Sequence, residues 1–495
     1  MRRALLTLSV LSLSTLTLMP TGVAQGVPVP VVASDNVELL LTLPDVGAIS
    51  TAFDPTRPLM YVNTLSGVSV YDISEPATPI LAGDLPMPHF ENEGMAIGQR
   101  ANGTTFLLIG FDVGSVTPTD AGEPVTESGQ HVIVVDVTNP LTPTIRGRTD
   151  TGSSTHTVQC VSLECNYAYT SGAYQPTRFD VIDLTNLDDP KQVKALNPIV
   201  GGGQGYGVHQ WDQDNNGVLW GTGGAGAIAF DVTDAQNPKP LASTNAKGVN
   251  SEYNNFIMHN SYHPNADKFV QVRNETTGRL VSGSKETATP MDGNVLLVTE
   301  EDYLDPTCAS EGTFSTWYIP YLDNEQYEKD NPLHKNNLGR MEPLDNWNSE
   351  ILDTGEKTIA GALCSAHYFT YHDAGFIAQG WYQQGTRILD VRNPRDIKQV
   401  GYYFTGDTET WHAYWVPERD AQGKVTGKDT NIIYTNDVAR GIDVLRVTLP
   451  TTPPGDTAPI RAPILPQWLT GTFASSAPSK GFGYMCRLAG SLTVA

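Results

Sequence analysis

The chain has 495 residues, with 46 glycines, 34 prolines and only 17% charged side chains, a balance that excludes a helical bundle, a coiled coil or a disordered polymer. Lys and Arg number 31 against 54 Asp and Glu, a formal charge of −23. Phosphate-rich surfaces are repelled by such a chain, which makes nucleic acid and anionic membrane surfaces poor partners.

Arg2 and Arg3 open the sequence, an apolar run follows from Ala4 to Met19, and Gly22, Val23 and Ala24 supply small residues for a cleavage site. Residues 1–24 are therefore predicted to be a signal peptide, and the mature chain is expected to be secreted, periplasmic or held at the cell surface. No later run is long and apolar enough for a membrane span.

From residue 36 to 450 one phrase recurs, an apolar strand ending in Asp and followed by a Ser, Thr, Asn and Pro cluster. The copies are VSVYDISEPATP, VIVVDVTNPLTP, FDVIDLTNLDDP, AIAFDVTDAQNP and RILDVRNPRDI, with aspartates at Asp72, Asp136, Asp183, Asp231 and Asp390. GIDVLRVTLP, around Asp443, is a degenerate copy, and NVLLVTEEDY is expected to fill the long gap between Asp231 and Asp390. Each Asp can cap the turn that follows it, and Pro prevents the ladder from continuing. A second strand precedes each phrase, as in LMYVNTLSG and FIAQGWYQQG. Four-stranded meanders repeating in this way predict an all-β fold, a β-propeller of seven four-stranded blades. Strand Glu38 to Leu43 is expected to pair with Gly441 to Val447 and close the ring, because closure hides two edges.

The phrase resembles the LVIVD-repeat family of exported bacterial and archaeal propellers, through VIVVD itself and through THTVQC, FIMHNS, LLVTEEDY, CSAHYF and GWYQQGTRILDV. That resemblance implies a propeller and no particular activity. Two segments depart from the rhythm: a polar insertion near residues 323–358, expected as a surface excursion or cap, and a Pro/Thr-rich linker and irregular tail over residues 451–495.

Export makes the cysteines candidates for pairing. Cys160 with Cys165 fits a hairpin disulfide, Cys308 with Cys364 would clamp the insertion, and Cys486 is left over.

Histidines carry the chemistry. His89, His156, His209, His259, His367 and His412 fall once per repeat, on or just before the innermost strand, where residues distant in sequence converge on the propeller axis. Converging neutral imidazoles suit Cu, Zn, Fe or Mn. His156, His209, His259 and His367 lead this set, with Glu300 and Glu301 as carboxylate ligands or orienters, His89 and His412 as additional ligands, and Asp112 in a comparable place. The alternative is a histidine that bonds within its blade, as in WD-repeat propellers. His131, His263, His334 and His372 are expected at the surface.

Asp212, Asp214 and Asn216 form D-x-D-x-N-G, an array that suits Ca without its closing Glu, or equally a hairpin turn. Trp317, Trp347, Trp381, Trp411 and Trp415 serve a sugar site or the core. Two functions remain open. One is a binding or scaffold protein for another envelope or extracellular protein. The other is a metal-dependent enzyme, plausible as an oxidoreductase, with its site on the axis.

Overall fold

A computed structural model describes residues 31–462 apart from 46, 90–91, 112–115, 119–123, 127–130, 153–154, 173–177, 197–207, 247–248, 303–311, 331–340, 350–364 and 406–407. Seven four-stranded antiparallel sheets stand in a ring, each a meander, so the protein is a β-propeller. The innermost strands are Ala48–Phe53, Ala96–Gln99, Thr157–Cys160, Val208–Gln213, Ile257–Tyr262, Phe369–His372 and Thr410–Arg419, belonging to blades 1 to 7. Consecutive innermost strands touch, and the seventh touches the first.

The recurrent phrase is the third strand of its blade. Gly67–Asp72, His131–Asp136, Phe179–Asp183, Gly226–Asp231 and Thr386–Asp390 each end in the repeated Asp. Its carboxylate accepts a hydrogen bond from the backbone N–H two residues on, at 2.8 Å in Asp72, 2.9 Å in Asp136, Asp183 and Asp231, and 3.1 Å in Asp390. One side chain thus ends the strand and orders the turn.

Blade 5 departs from the pattern. NVLLVTEE is its second strand, Val295–Glu301, and its third is Phe314–Tyr318, where Tyr318 replaces the capping Asp. The polar insertion is also more than an excursion: a short helix, Asn324–Asp330, packs beside blade 4, and Glu342–Trp347 is the fourth strand of blade 5. A further excursion between the first two strands of this blade carries the small hairpin Val272–Arg273 and Leu280–Val281.

Val37–Leu43 supplies the outermost strand of blade 7, pairing Val37 with Val447 and Leu43 with Ile442. Residues from the two ends of the propeller therefore share one sheet, and each blade's apolar faces pack against its neighbours. Upstream, Val31–Ala33 adds a fifth strand to blade 6. Part of the tail docks on that blade as well, with the Ile460 N–H donating to the Gln399 carbonyl at 2.8 Å and Ala462 buried against Tyr402 and Phe404.

Cys160 and Cys165 form a disulfide across the hairpin of blade 3, their Cα atoms 4.9 Å apart. Residues 1–24, Cys308, Cys364, Cys486, Asp112 and His334 lie outside the described residues. No helix among the described residues is long and apolar enough to cross a membrane.

Candidate metal centre

His209 and His259 lie within the innermost strands of blades 4 and 5, and His156 and His367 lie just before those of blades 3 and 6. All four are buried, and all four present Nε2 to one carboxylate, that of Glu93. The N–O distances are 2.9 Å for His156, 3.4 Å for His209, 3.2 Å for His259 and 3.3 Å for His367. Neighbouring imidazoles stand tilted against one another around it, with centroids 4.6 Å apart for His156 and His209, 4.4 Å for His209 and His259, and 4.1 Å for His259 and His367.

Sequence reasoning missed Glu93. In NEGMAIG it stands just before the innermost strand of blade 2, and its N–H donates to the His156 carbonyl at 3.1 Å, so it occupies in its blade the place His156 holds in the next. The legible signal is an acid followed by Gly at a position where other blades carry His. His89, assigned to that place from the sequence, sits apart: Nδ1 is 2.7 Å from the Met87 carbonyl and the ring packs on Phe111.

The two blade 5 glutamates divide. Adjacent residues on a strand point to opposite faces, so only one can face the axis. Glu301 does, with Oε2 3.6 Å from His259 Nε2 and Oε1 3.8 Å from His367 Nε2, while the Tyr382 hydroxyl donates to Oε1. Glu300 instead accepts from the Asn255 N–H at 2.7 Å. Tyr382 has a positive φ of 31°, a conformation that is costly for a bulky residue and that clusters at functional sites.

His412 lies one layer out. It is stacked between Tyr368 and Tyr414, at centroid distances of 4.9 and 3.6 Å, and its nitrogens stay apart from the ligand atoms gathered on the axis. The Tyr368 hydroxyl donates to Glu93 Oε2 at 3.2 Å, so this stack links His412 to the cluster.

Burial sets the electrostatics. It pushes His209 down to about 4 and His259 and His412 well below the ordinary imidazole range, leaving them neutral with a lone pair to offer. Burial is the largest influence on His367 and pushes it down, but the Glu93 charge and hydrogen bond, the Glu301 charge and the Trp411 carbonyl together raise that imidazole. Glu93 is pushed up by burial and held well below the carboxylate range by His156 and His367. Burial lifts Glu301 to about 7, with His367 opposing and the Glu93 charge adding to the rise.

Two overlapping trios have ligand atoms within 4.8 Å of one another: Glu93, His209 and His259, and His259, Glu301 and His367. His209 is 3% exposed, yet its Nδ1 makes no hydrogen bond and its Nε2 has only the 3.4 Å contact with Glu93, and Glu301 Oε2 makes no hydrogen bond either. Leaving such atoms unsatisfied costs about 1–3 kcal/mol each. An imidazole-rich set with one or two carboxylates, lacking thiolate, fits Cu, Fe, Zn or Mn.

Of the histidines expected at the surface, His131, His263 and His372 are buried. His263 does structural work: Nδ1 is 2.9 Å from Asp214 Oδ2 and Nε2 2.7 Å from the Gly293 carbonyl. His131 packs on Phe111, and His372 Nδ1 accepts from the Ala374 N–H at 3.0 Å. The D-x-D-x-N-G segment forms a hairpin turn in which Asp214 accepts from the N–H groups of Asn216 and Val218 and from Trp220 Nε1, while Asp212 accepts from the Ser261 N–H. Its carboxylates thus serve different neighbours. Trp317, Trp347, Trp381, Trp411 and Trp415 are all buried, which assigns them to packing.

No family model matches the chain, and no curated protein does. Among solved structures, the β-propeller domain of Cps50 (Swd1) from Myceliophteria thermophila is 11% identical, with a TM-score of 0.49 over 83% of this chain and 100% of that one. Hydrazine synthase from Kuenenia stuttgartiensis is also 11% identical, with a TM-score of 0.46 over 82% of this chain and 97% of that one.

Proposed function

We propose that the axial cluster holds a transition-metal ion and that the protein is a metal-dependent enzyme, an oxidoreductase, exported and belonging to the LVIVD-repeat group. The observation that carries the metal reading is the convergence of four buried imidazole Nε2 atoms on the Glu93 carboxylate, with Glu301 beside them. A purely structural role for these histidines would have each imidazole bonded within its own or the next blade, as His263 is. His209 has no such bond.

His156, His209, His259 and His367 would be the nitrogen ligands, with Glu93 and Glu301 as carboxylate ligands or counter-charges. A bound Cu or Fe would supply one-electron chemistry, and Zn or Mn would polarise a bound oxygen. The chain's own residues would bury the four imidazoles, hold His209 and His259 neutral, and keep a proton on or near Glu301 through Tyr382. Export is supported by the leader-like first 24 residues, and LVIVD membership by the repeated phrase.

Elemental analysis of purified protein, after incubation with Cu, Zn, Fe and Mn in turn, tests the reading. About one equivalent of one metal per chain is expected. His259→Ala, which removes the residue shared by both trios, should abolish it while the chain stays folded. Wild-type protein that retains none of the four metals would overturn the proposal.

A further inference from the structure

One mouth of the axis opens into a cavity of about 390 Å³ that reaches the cluster at Glu93, with Tyr368 and His412 beside it. Its lining has a one-sided chemistry. Glu93, Asp212 and Asp429 contribute carboxylates, and no Lys or Arg is among the described residues that line it. The walls are aromatic: Tyr262 and Tyr371 stack with centroids 5.6 Å apart and 26° between planes, and Tyr414 lines the same cavity. Asp429 lines the cavity with this tyrosine pair, and its charge adds to burial in pushing the Tyr262 phenol up to about 12.

We propose that this cavity binds a small organic monocation, an amine carried on one aromatic ring or a group of similar bulk. Ring faces attract a desolvated cation, by about 0.5–2 kcal/mol each, and carboxylates at short range add Coulomb attraction in a site poor in water. Burial lifts Asp212 and Asp429 to about 7, so a bound cation favours their ionised forms while an anion gains nothing from either. A neutral ligand of the same shape gains the apolar walls but not the field. Asp212 and Asp429 each have acceptor capacity beyond the backbone N–H groups of Ser261 and Asp373 that they already serve. The volume lies at the small end of ligand pockets, which limits the guest to roughly one ring and its amine.

The inference deepens the proposed function by naming a substrate class, and it rests on that reading only for the chemistry after binding. Cation capture itself needs no metal. Calorimetry with benzylamine, benzyl alcohol and benzoate, on chelator-stripped and metal-loaded protein whose metal content is measured in the same samples, separates the two. Benzylamine should bind at least about tenfold more tightly than benzyl alcohol in both forms, and benzoate should not bind. Asp212→Asn should weaken benzylamine by about tenfold with benzyl alcohol and metal content unchanged. Should that variant unfold, as judged by circular dichroism, Asp429→Asn serves in its place, read on benzylamine against benzyl alcohol alone because Asp429 also groups with His372 and Asp373. Amine binding to protein that takes up no metal would sink the proposed function and leave this site standing. Metal uptake with benzyl alcohol or benzoate bound as tightly as benzylamine, or with no benzylamine bound, would overturn the site and leave the metal centre.

Discussion

His263 and His209 lie on adjacent blades and are both buried, yet they should respond oppositely to removal. In metal-free protein, His263→Ala takes away a bond to the Asp214 carboxylate at 2.9 Å and one to the Gly293 carbonyl at 2.7 Å. The first contributes about 1.5–3 kcal/mol and the second about 1 kcal/mol. A cavity the size of an imidazole adds about 2 kcal/mol, so the loss comes to about 5 kcal/mol. His209→Ala removes no well-formed hydrogen bond, only the 3.4 Å contact of Nε2 with Glu93. Packing against His156 and His259 goes with it, about 2 kcal/mol in all, in a place that water can refill. Loading the metal reverses the order for His209: a ligand at a thousandfold excess over its Kd stabilises the wild type by about 4 kcal/mol, which this variant would forgo. The assay is urea unfolding of stripped and loaded proteins, with metal content measured beside it. The reasoning is refuted if His263→Ala loses metal as His209→Ala does, or if stripped His209→Ala is destabilised as much as stripped His263→Ala.

The geometry carries three further outcomes. Truncation just before Pro44 removes the outer strand of blade 7, with Val37 and Leu43 buried and Leu39, Leu40 and Leu41 partly so. It should cost about 5 kcal/mol and leave Gly441–Val447 as an open edge that self-associates, visible in thermal unfolding and gel filtration; an equally stable monomer contradicts the closure argument. The Asp214 carboxyl is pushed up by burial but held below its ordinary 3.8 by the His263 and Trp220 bonds, so its stabilisation is present above that ordinary value and is lost as pH falls through the depressed one. Asp214→Asn should therefore flatten acid unfolding below about pH 4, and an unaltered acid limb would count against it. A Cβ at Gly94 would lie 2.6 Å from Gln210 Oε1 and 2.9 Å from Thr157 Cβ, forcing the innermost strand of blade 2 to shift beside Glu93. Gly94→Ala should weaken metal binding by about tenfold in a competitive titration, and unchanged affinity would show that Glu93 is not held by this contact.

The architecture is legible in the sequence because one side chain per blade does a local job: Asp72, Asp136, Asp183, Asp231 and Asp390 cap the turns that end their strands. Blade 5 lacks that cap at Tyr318 and spreads its strands across two excursions, so its second strand mimics the repeat phrase. Orientation within the site is harder to read. Register shifts interrupt the innermost strands between Val208 and Gln210, Met258 and Ser261, and Thr410 and His412. An extra residue reverses the alternation of faces, so counting by twos cannot decide that His209 and His259 face the axis while His263 bonds Asp214 of the neighbouring blade and Gly293 of its own. Glu93 is hidden for a different reason: its residue type departs from the repeat, and only its place within the blade marks it.

Anomalous X-ray diffraction from crystals of metal-loaded protein, recorded above the absorption edge of the bound element, tests the metal centre most directly. A single strong peak is expected on the axis, about 2.0–2.2 Å from Nε2 of at least three of His156, His209, His259 and His367, with a Glu93 or Glu301 oxygen in or next to its coordination shell. A peak elsewhere, or none with the four imidazoles still gathered around Glu93, would contradict the metal centre and make the cluster a hydrogen-bonded plug of the propeller.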